Sequence, residues 1–324
     1  MRMPKYLSPS ALEKFFELPD QTEYYLKYLA DVRPPRMPQT EAMSVGSAFD
    51  AYVKFELCRD LFGIHGVPKG FDLETLFVTQ VEEHNRDFAR SAGLVCMCAY
   101  KESGAYRRLL HQLKLATGVP RFEFTAEGNL GGVPVSGKPD LHYTSEVGAS
   151  IIVDWKVNGY CSKAGASPKK GYVLCVDGWH GKPSRTHNKQ HKDANLLYIG
   201  GMYINAGCFF EDVDVRWARQ LATYGFLGGE EVGSNFIIQI EQLACKTHGA
   251  QIRCATHAGR VSIPFQHELV AQYQQAWKAI NEGHIFINLS REESDKVCEK
   301  LDSFHKAFVI EKEDDVWFNQ MRGK

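Results

Sequence analysis

The chain has 324 residues, 44% hydrophobic and 24% charged, with a formal net charge of −1 at pH 7. This is globular composition, which excludes a disordered or collagen-like polymer, and the near-zero charge excludes a protein that coats nucleic acid indiscriminately. No apolar run reaches the roughly 20 residues of a membrane span, and nine cysteines without CxxC pairs or an apolar leader point to a reducing cytoplasm.

Through about residue 120 the periodicity and breakers predict helices. Ser8 or Ser10 can cap a first helix through Phe15 and Phe16, and a short helix over residues 24–29 ends before Pro34 and Pro35. Further helices are expected over residues 43–57, 73–90 and 98–116. The period then changes. Residues 121–127 alternate like a strand, 129–132 make a glycine-rich turn, and strands follow over 135–143 and 151–157 about a turn at 146–148.

Residues 158–192, rich in Gly, Ser, Lys and Pro, read as a long loop or insertion. From Lys156 to Lys192 there are eight Lys or Arg and one acid, Asp177. That pattern suits a local phosphate-binding surface or a solvated loop equally well. Residues 194–210 suit a helix or a strand pair. A helix over 215–228, a strand over 235–244, and helices over 264–283 and 291–308 complete the chain. Together these elements predict an α/β (α+β) fold, a central mixed β-sheet with flanking helices behind a helical N-terminal part.

The chemistry concentrates in the meander. Gly137-Lys138-Pro139-Asp140 ends in a carboxylate on one expected strand, and Asp154-Trp155-Lys156 lies on the next. Phosphodiester hydrolysis needs a divalent cation, and Mg2+ takes oxygen ligands, commonly one or two protein carboxylates. Residues two apart on a strand share a face, so Lys156 stands beside Asp154 while Trp155 points the other way. Ile151, Ile152 and Val153 supply a core strand as a rigid platform. The bland alternative is a surface ion pair, since Asp-x-Lys is a common tripeptide.

Two distant features favour the site. Gln220 and Tyr224, four apart on the helix expected over 215–228, present an amide and a phenol on one face. Gly46 would permit close helix approach, and Asp50, among Phe49, Val53 and Phe55, calls for a partner or a metal. A buried tyrosine and an exposed helical acid are the corresponding structural alternatives. The run from Gly132 to Lys138 fits GxxxxGK, but Pro139 follows where Ser or Thr is needed and no helix starts, so it is no phosphate loop. Cys161, Cys175, His180, His187 and His191 are too irregularly spaced for a zinc site.

In combination these motifs resemble the PD-(D/E)xK nuclease superfamily, in its RecB-like and phage-exonuclease branch. Pro139-Asp140 is similar to the PD, Asp154-Trp155-Lys156 to the (D/E)xK, and Gln220 to Tyr224 to the QxxxY helix. Leu7 to Leu12 followed by Phe15 and Phe16 is similar to the family's opening. Gly46 to Asp50 matches its glycine-x-x-x-histidine helix with Asp50 in place of the histidine.

The resemblance implies a restriction-endonuclease-like core and a Mg2+- or Mn2+-dependent DNA exonuclease of phage-type recombination, replication or repair, in bacterial or phage-infected host cytoplasm. It implies Asp140, Asp154, Lys156 and Glu123 as catalytic residues, with Glu127 in reserve for Glu123. Asp50, Asp140, Asp154 and Trp155 are implied for the metal, and Gln220, Tyr224, Lys163, Lys169, Lys170 and Arg185 for DNA. Leu18 stands where some relatives carry the first cysteine of an iron-sulfur cluster, and Cys245, Cys254 and Cys298 are scattered, so no cluster is expected. A recombination or annealing partner protein and an oligomer are left open. One nuclease domain over 1–324 is expected, with a helical part over 1–120, a catalytic core over 121–245 carrying the basic insertion, and a C-terminal strand and helices over 246–324. The rivals are a non-catalytic DNA-binding or assembly subunit and a restriction or repair endonuclease.

Overall fold

A computed structural model describes residues 3–17, 24–30, 37–163, 166, 196–199, 202–205, 209–245, 249 and 251–283. The chain divides into two compact units, Met1–Arg36 with Asn129–Val135 and Val270–Lys324, and Met37–Gly128 with Ser136–Leu269.

In the first unit, helix α1 (Pro9–Glu17) is followed by a π-helical turn at Tyr25–Leu29. Leu7 N–H donates to the Pro134 carbonyl at 2.9 Å, adding a short parallel bridge to Val135. Gly131 and Gly132, with φ of 61° and 89°, make the turn between β2 (Ala126–Leu130) and β3 (Val133–Gly137). Only glycine adopts both conformations without strain.

The second unit holds the core. Its helices are α2 (Glu41–Phe62), α3 (Leu73–Gln80), α4 (Arg86–Glu102), α5 (Ala105–Lys114) and α6 (Val215–Leu227), and α7 (Ile263–Asn281) starts in it. Its remaining strands are β1 (Thr117–Phe122), β4 (Leu141–Thr144), β5 (Ser150–Asn158), β6 (Leu196–Ile199), β7 (Met202–Asn205), β8 (Ile237–Ala244) and β9 (Arg253–Gly259). These seven form one sheet in the order β1-β4-β5-β8-β9-β7-β6. The β5–β8 and β7–β9 pairs are parallel and the others antiparallel. The mixed sheet with flanking helices is the fold class expected from the sequence.

The β-branched run Ile151-Ile152-Val153 suits β5 to the sheet interior between β4 and β8, with Ile152 and Val153 wholly buried. Ile151, Val153 and Trp155 pack with Phe49, Tyr52 and Val53 of α2 and with Met97 and Tyr100 of α4. The opposite face of β5 therefore carries Ile152, Asp154 and Lys156. Helix α2 is buried nearly all round, Lys54 included, as a helix enclosed by core must be.

The structure redraws several expected boundaries. The helix expected over 73–90 breaks after Gln80, resumes as a 3-10 turn at Glu83–Asn85, and continues as α4. Gln39 makes that break affordable. Its side chain accepts from Glu82 N–H at 3.1 Å and donates to the Gln80 carbonyl at 3.1 Å, and its carbonyl accepts from Asn85 Nδ2 at 2.6 Å. The helix expected over 98–116 is interrupted at Gly104, whose φ is 81°. The strand expected over 135–143 is two strands, because Pro139 has no N–H to donate to a ladder. Strand β1 ends at Phe122 rather than running to residue 127, and Glu123 turns into a positive φ of 44°.

Residues 196–199 and 202–205 form a strand pair, one of the two forms the sequence left open for that stretch, and β9 is the C-terminal strand expected beyond residue 246, with its bounds now set. Gly46 does not mediate a close approach: among the described residues, a Cβ there would meet nothing within 4 Å. Gly93 of α4 does so instead, since its Cβ would stand 2.6 Å from that of Ala48. The helix expected over 291–308 lies outside the described residues.

Candidate functional site

Strand pairing brings the two aspartates together. In the β4–β5 ladder Leu141 faces Val153, so Asp140, one residue earlier, sits beside Asp154, one residue later. Asp140 and Asp154 lie within hydrogen-bonding reach of each other. Trp155 N–H donates to Asp140 Oδ2 at 3.3 Å. The Trp155 indole turns into the core on the other face, so this residue meets the site through its backbone.

Lys156 follows Asp154 on the same face, with Nζ 2.5 Å from Asp154 Oδ2 and 3.5 Å from Gln220 Oε1. Helix α6 positions that amide. Asp214 caps it by accepting from Arg216 and Trp217 N–H, and Gln220 Nε2 donates to the Tyr224 hydroxyl at 3.2 Å. A Cβ on Gly137 would stand 2.6 Å from Tyr224 Cε1. The bare backbone before Asp140 thus seats the Tyr224 ring.

The Asp50 side chain meets a lysine that the sequence reading passed over. Lys54 Nζ stands 2.6 Å from Asp50 Oδ2, 3.3 Å from Glu123 Oε2 and 3.4 Å from Asp140 Oδ1, on a side chain only 1% exposed. The signal was present in the sequence: Lys54 follows Asp50 by four residues on an otherwise apolar helical stretch, so the two share a face. Glu123 also pairs with the exposed Lys138 at 2.5 Å and accepts from Gln80 Nε2 at 3.1 Å. Glu127, on β2, is exposed, so Glu123 is the acid that joins the cluster. Lys163 is exposed beyond β5, and Lys169, Lys170 and Arg185 lie outside the described residues.

Burial and crowding set the electrostatics. Burial drives Asp154 up to about 7 against the pull of Lys156, with Asp140 adding to the rise. Asp50 also rises to about 7 through burial, opposed chiefly by Lys54. For Asp140 burial is the largest single influence and also raises, but Lys54 and Lys156, with the hydrogen bonds from Asp154 and the Trp155 N–H, outweigh it and hold the group below its usual value. Burial disfavours the charged forms of Lys54 and Lys156, yet the surrounding carboxylates raise both. Adjacent carboxylates with separated affinities for protons are the pattern expected where one hard cation or one proton is shared.

Among the described residues no group of three or more His, Cys, Asp and Glu side chains has the arrangement of a metal site. The donors that fit an oxygen-seeking divalent ion are the pair Asp140 and Asp154, which suffices for an ion that keeps most of its waters. The buried Asp50 Oδ1 has no hydrogen-bond partner, so a further oxygen donor is close by, but Asp50 Oδ2 is engaged by Lys54.

No family model matches the chain, and no curated protein matches it. Among solved structures, a "Putative exonuclease" from Eubacterium rectale is 16% identical, with 86% of this chain and 82% of that one covered and a TM-score of 0.40. The protein SSO0001 is 14% identical over 88% of this chain and 95% of its own, with a TM-score of 0.24. Likenesses this distant carry no argument, and the chemistry of the site rests on its own residues.

Proposed function

We propose that this chain is a divalent-metal-dependent DNA nuclease, an exonuclease that processes DNA ends in recombination, replication or repair of phage type. The observation that supports it is the convergence of Asp140, Asp154 and Lys156 on one side of β4 and β5, with Gln220 3.5 Å from the lysine. Asp140 and Asp154 would hold Mg2+ or Mn2+, and Asp50 is the nearest further oxygen donor. Such an ion, when bound, polarises a phosphate oxygen and lowers the pKa of water.

The residues themselves account for binding and orientation. Trp155 N–H and Lys54 each hold one oxygen of Asp140, so that carboxylate has little freedom to turn. Lys156 presents an ammonium beside the two acids, where negative charge builds on a phosphate during attack. Gln220 and Tyr224 form a joined amide and phenol that can donate to the DNA strand. Lys163, Lys169, Lys170 and Arg185 add a sequence-independent phosphate contact, and a recombination or annealing protein is the proposed partner.

The test is incubation with linear and covalently closed duplex DNA in Mg2+ or Mn2+. Loss of linear DNA alone supports the exonuclease. Cutting of closed circles instead assigns an endonuclease, and absence of metal-dependent cleavage by folded protein refutes the enzyme in favour of a DNA-binding subunit.

A further inference from the structure

Lys54 is the least expected group in the molecule. Its stem is enclosed by the packing of α2, and its ammonium meets three carboxylates from three separate segments: Asp50, Glu123 and Asp140. An ammonium has three donors and no acceptor, so each carboxylate can take one. Enclosing a lysine in this way is costly unless the charge is matched, and here it is surrounded by acids as a cation is surrounded by its ligands.

We infer that Lys54 is a built-in counter-cation that fills the place of a second divalent ion, so that the site takes a single ion, between Asp140 and Asp154. The inference rests on the metal-dependent reading above and deepens it. Three geometric facts support it. Lys54 binds Asp140 through Oδ1, while Oδ2 is turned to the Trp155 N–H and the Asp154 side. Asp50 and Glu123, which would complete a second set of ligands, each give one oxygen, Oδ2 and Oε2, to Lys54. Finally, Asp50, Glu123, Asp140 and Asp154 face two ammonium groups within the cluster, Lys54 and the half-buried Lys156. With all four carboxylates ionised, the negative charge left over within this set is what one divalent cation would neutralise. Lys138 reaches Glu123 from solvent, where its charge is screened.

Lys54 would therefore act as a positioning residue, without touching the phosphate, and its removal should change how many ions bind. The experiment is a titration of the full chain with Mn2+, following free Mn2+ by electron paramagnetic resonance, with circular dichroism as the check on folding. Wild type should bind one Mn2+ per chain and Asp154→Asn none. Lys54→Met should bind two, and Lys54→Met with Asp50→Asn should return to one. Lys54→Gln, which keeps a hydrogen-bonding head, covers the case in which the methionine variant does not fold, and should also bind two. Two ions in wild type, or one ion in both Lys54 variants, would overturn the inference while leaving metal dependence intact. No ion in wild type would overturn the metal-dependent reading itself, and the inference with it.

Discussion

Glu241 offers the most exacting test of how burial works in this fold. It lies on β8, opposite Trp155 in the parallel ladder, and is 2% exposed. Its Oε1 accepts from Gln239 Nε2 at 2.7 Å and from Thr256 Oγ1 at 2.9 Å. Even with these donors, burial pushes its pKa from 4.5 up to about 7. The folded protein therefore keeps a proton that the unfolded chain releases. The associated stability is fully present below about pH 4.5 and is lost as pH rises through about 7. At about 1.4 kcal/mol per tenfold change, the whole effect is about 3 kcal/mol, of which roughly 2 kcal/mol falls between pH 5 and 8. Glu241→Gln removes the titration while keeping an acceptor for Gln239. Urea unfolding of wild type and variant with a chelator present, at pH 5, 6, 7 and 8, should show the variant gaining on wild type by roughly 2 kcal/mol across that range. Other buried titrating groups, His257 among them, cancel in the difference. A difference that does not change with pH would refute the argument.

Asp154→Ala should lower metal-dependent cleavage at least about 100-fold with an unchanged circular dichroism spectrum; full activity would remove the site assignment. Gly137→Ala should destabilise the fold by about 1–3 kcal/mol, because its Cβ would stand 2.6 Å from the Tyr224 ring. An unfolding midpoint equal to wild type would show that the ring moves freely. Replacing Lys169 and Lys170 with Gln should weaken DNA binding and reduce the slope of log K against log salt by about 2. An unchanged slope in filter-binding or anisotropy titrations would return the basic segment to a solvated loop.

The motif triad was legible in the sequence because its geometry is local. Ile151 to Val153 can only be a buried strand, and on a strand Asp154 and Lys156 must share a face. The same holds for Gln220 and Tyr224, four apart on α6. The bounds of β9 were not legible because Arg253 to Gly259 holds a single β-branched residue, Thr256, and no Phe, Tyr or Trp. Its Thr256 and His257 are buried through partners on β8 that no local pattern reveals.

What only tertiary structure decided is which charges meet. Pairing of β4 with β5 sets Asp140 against Asp154, the turn at Glu123 selects it over Glu127, and α2 delivers Lys54 into a ring of acids drawn from positions 50, 123 and 140. The sequence alone could say that Asp50 needs a partner, since a carboxylate in apolar surroundings is costly by itself. Whether that partner is a metal ion or an ammonium depends on distances between segments far apart in the chain, and those are set by the packing of the helices on the sheet.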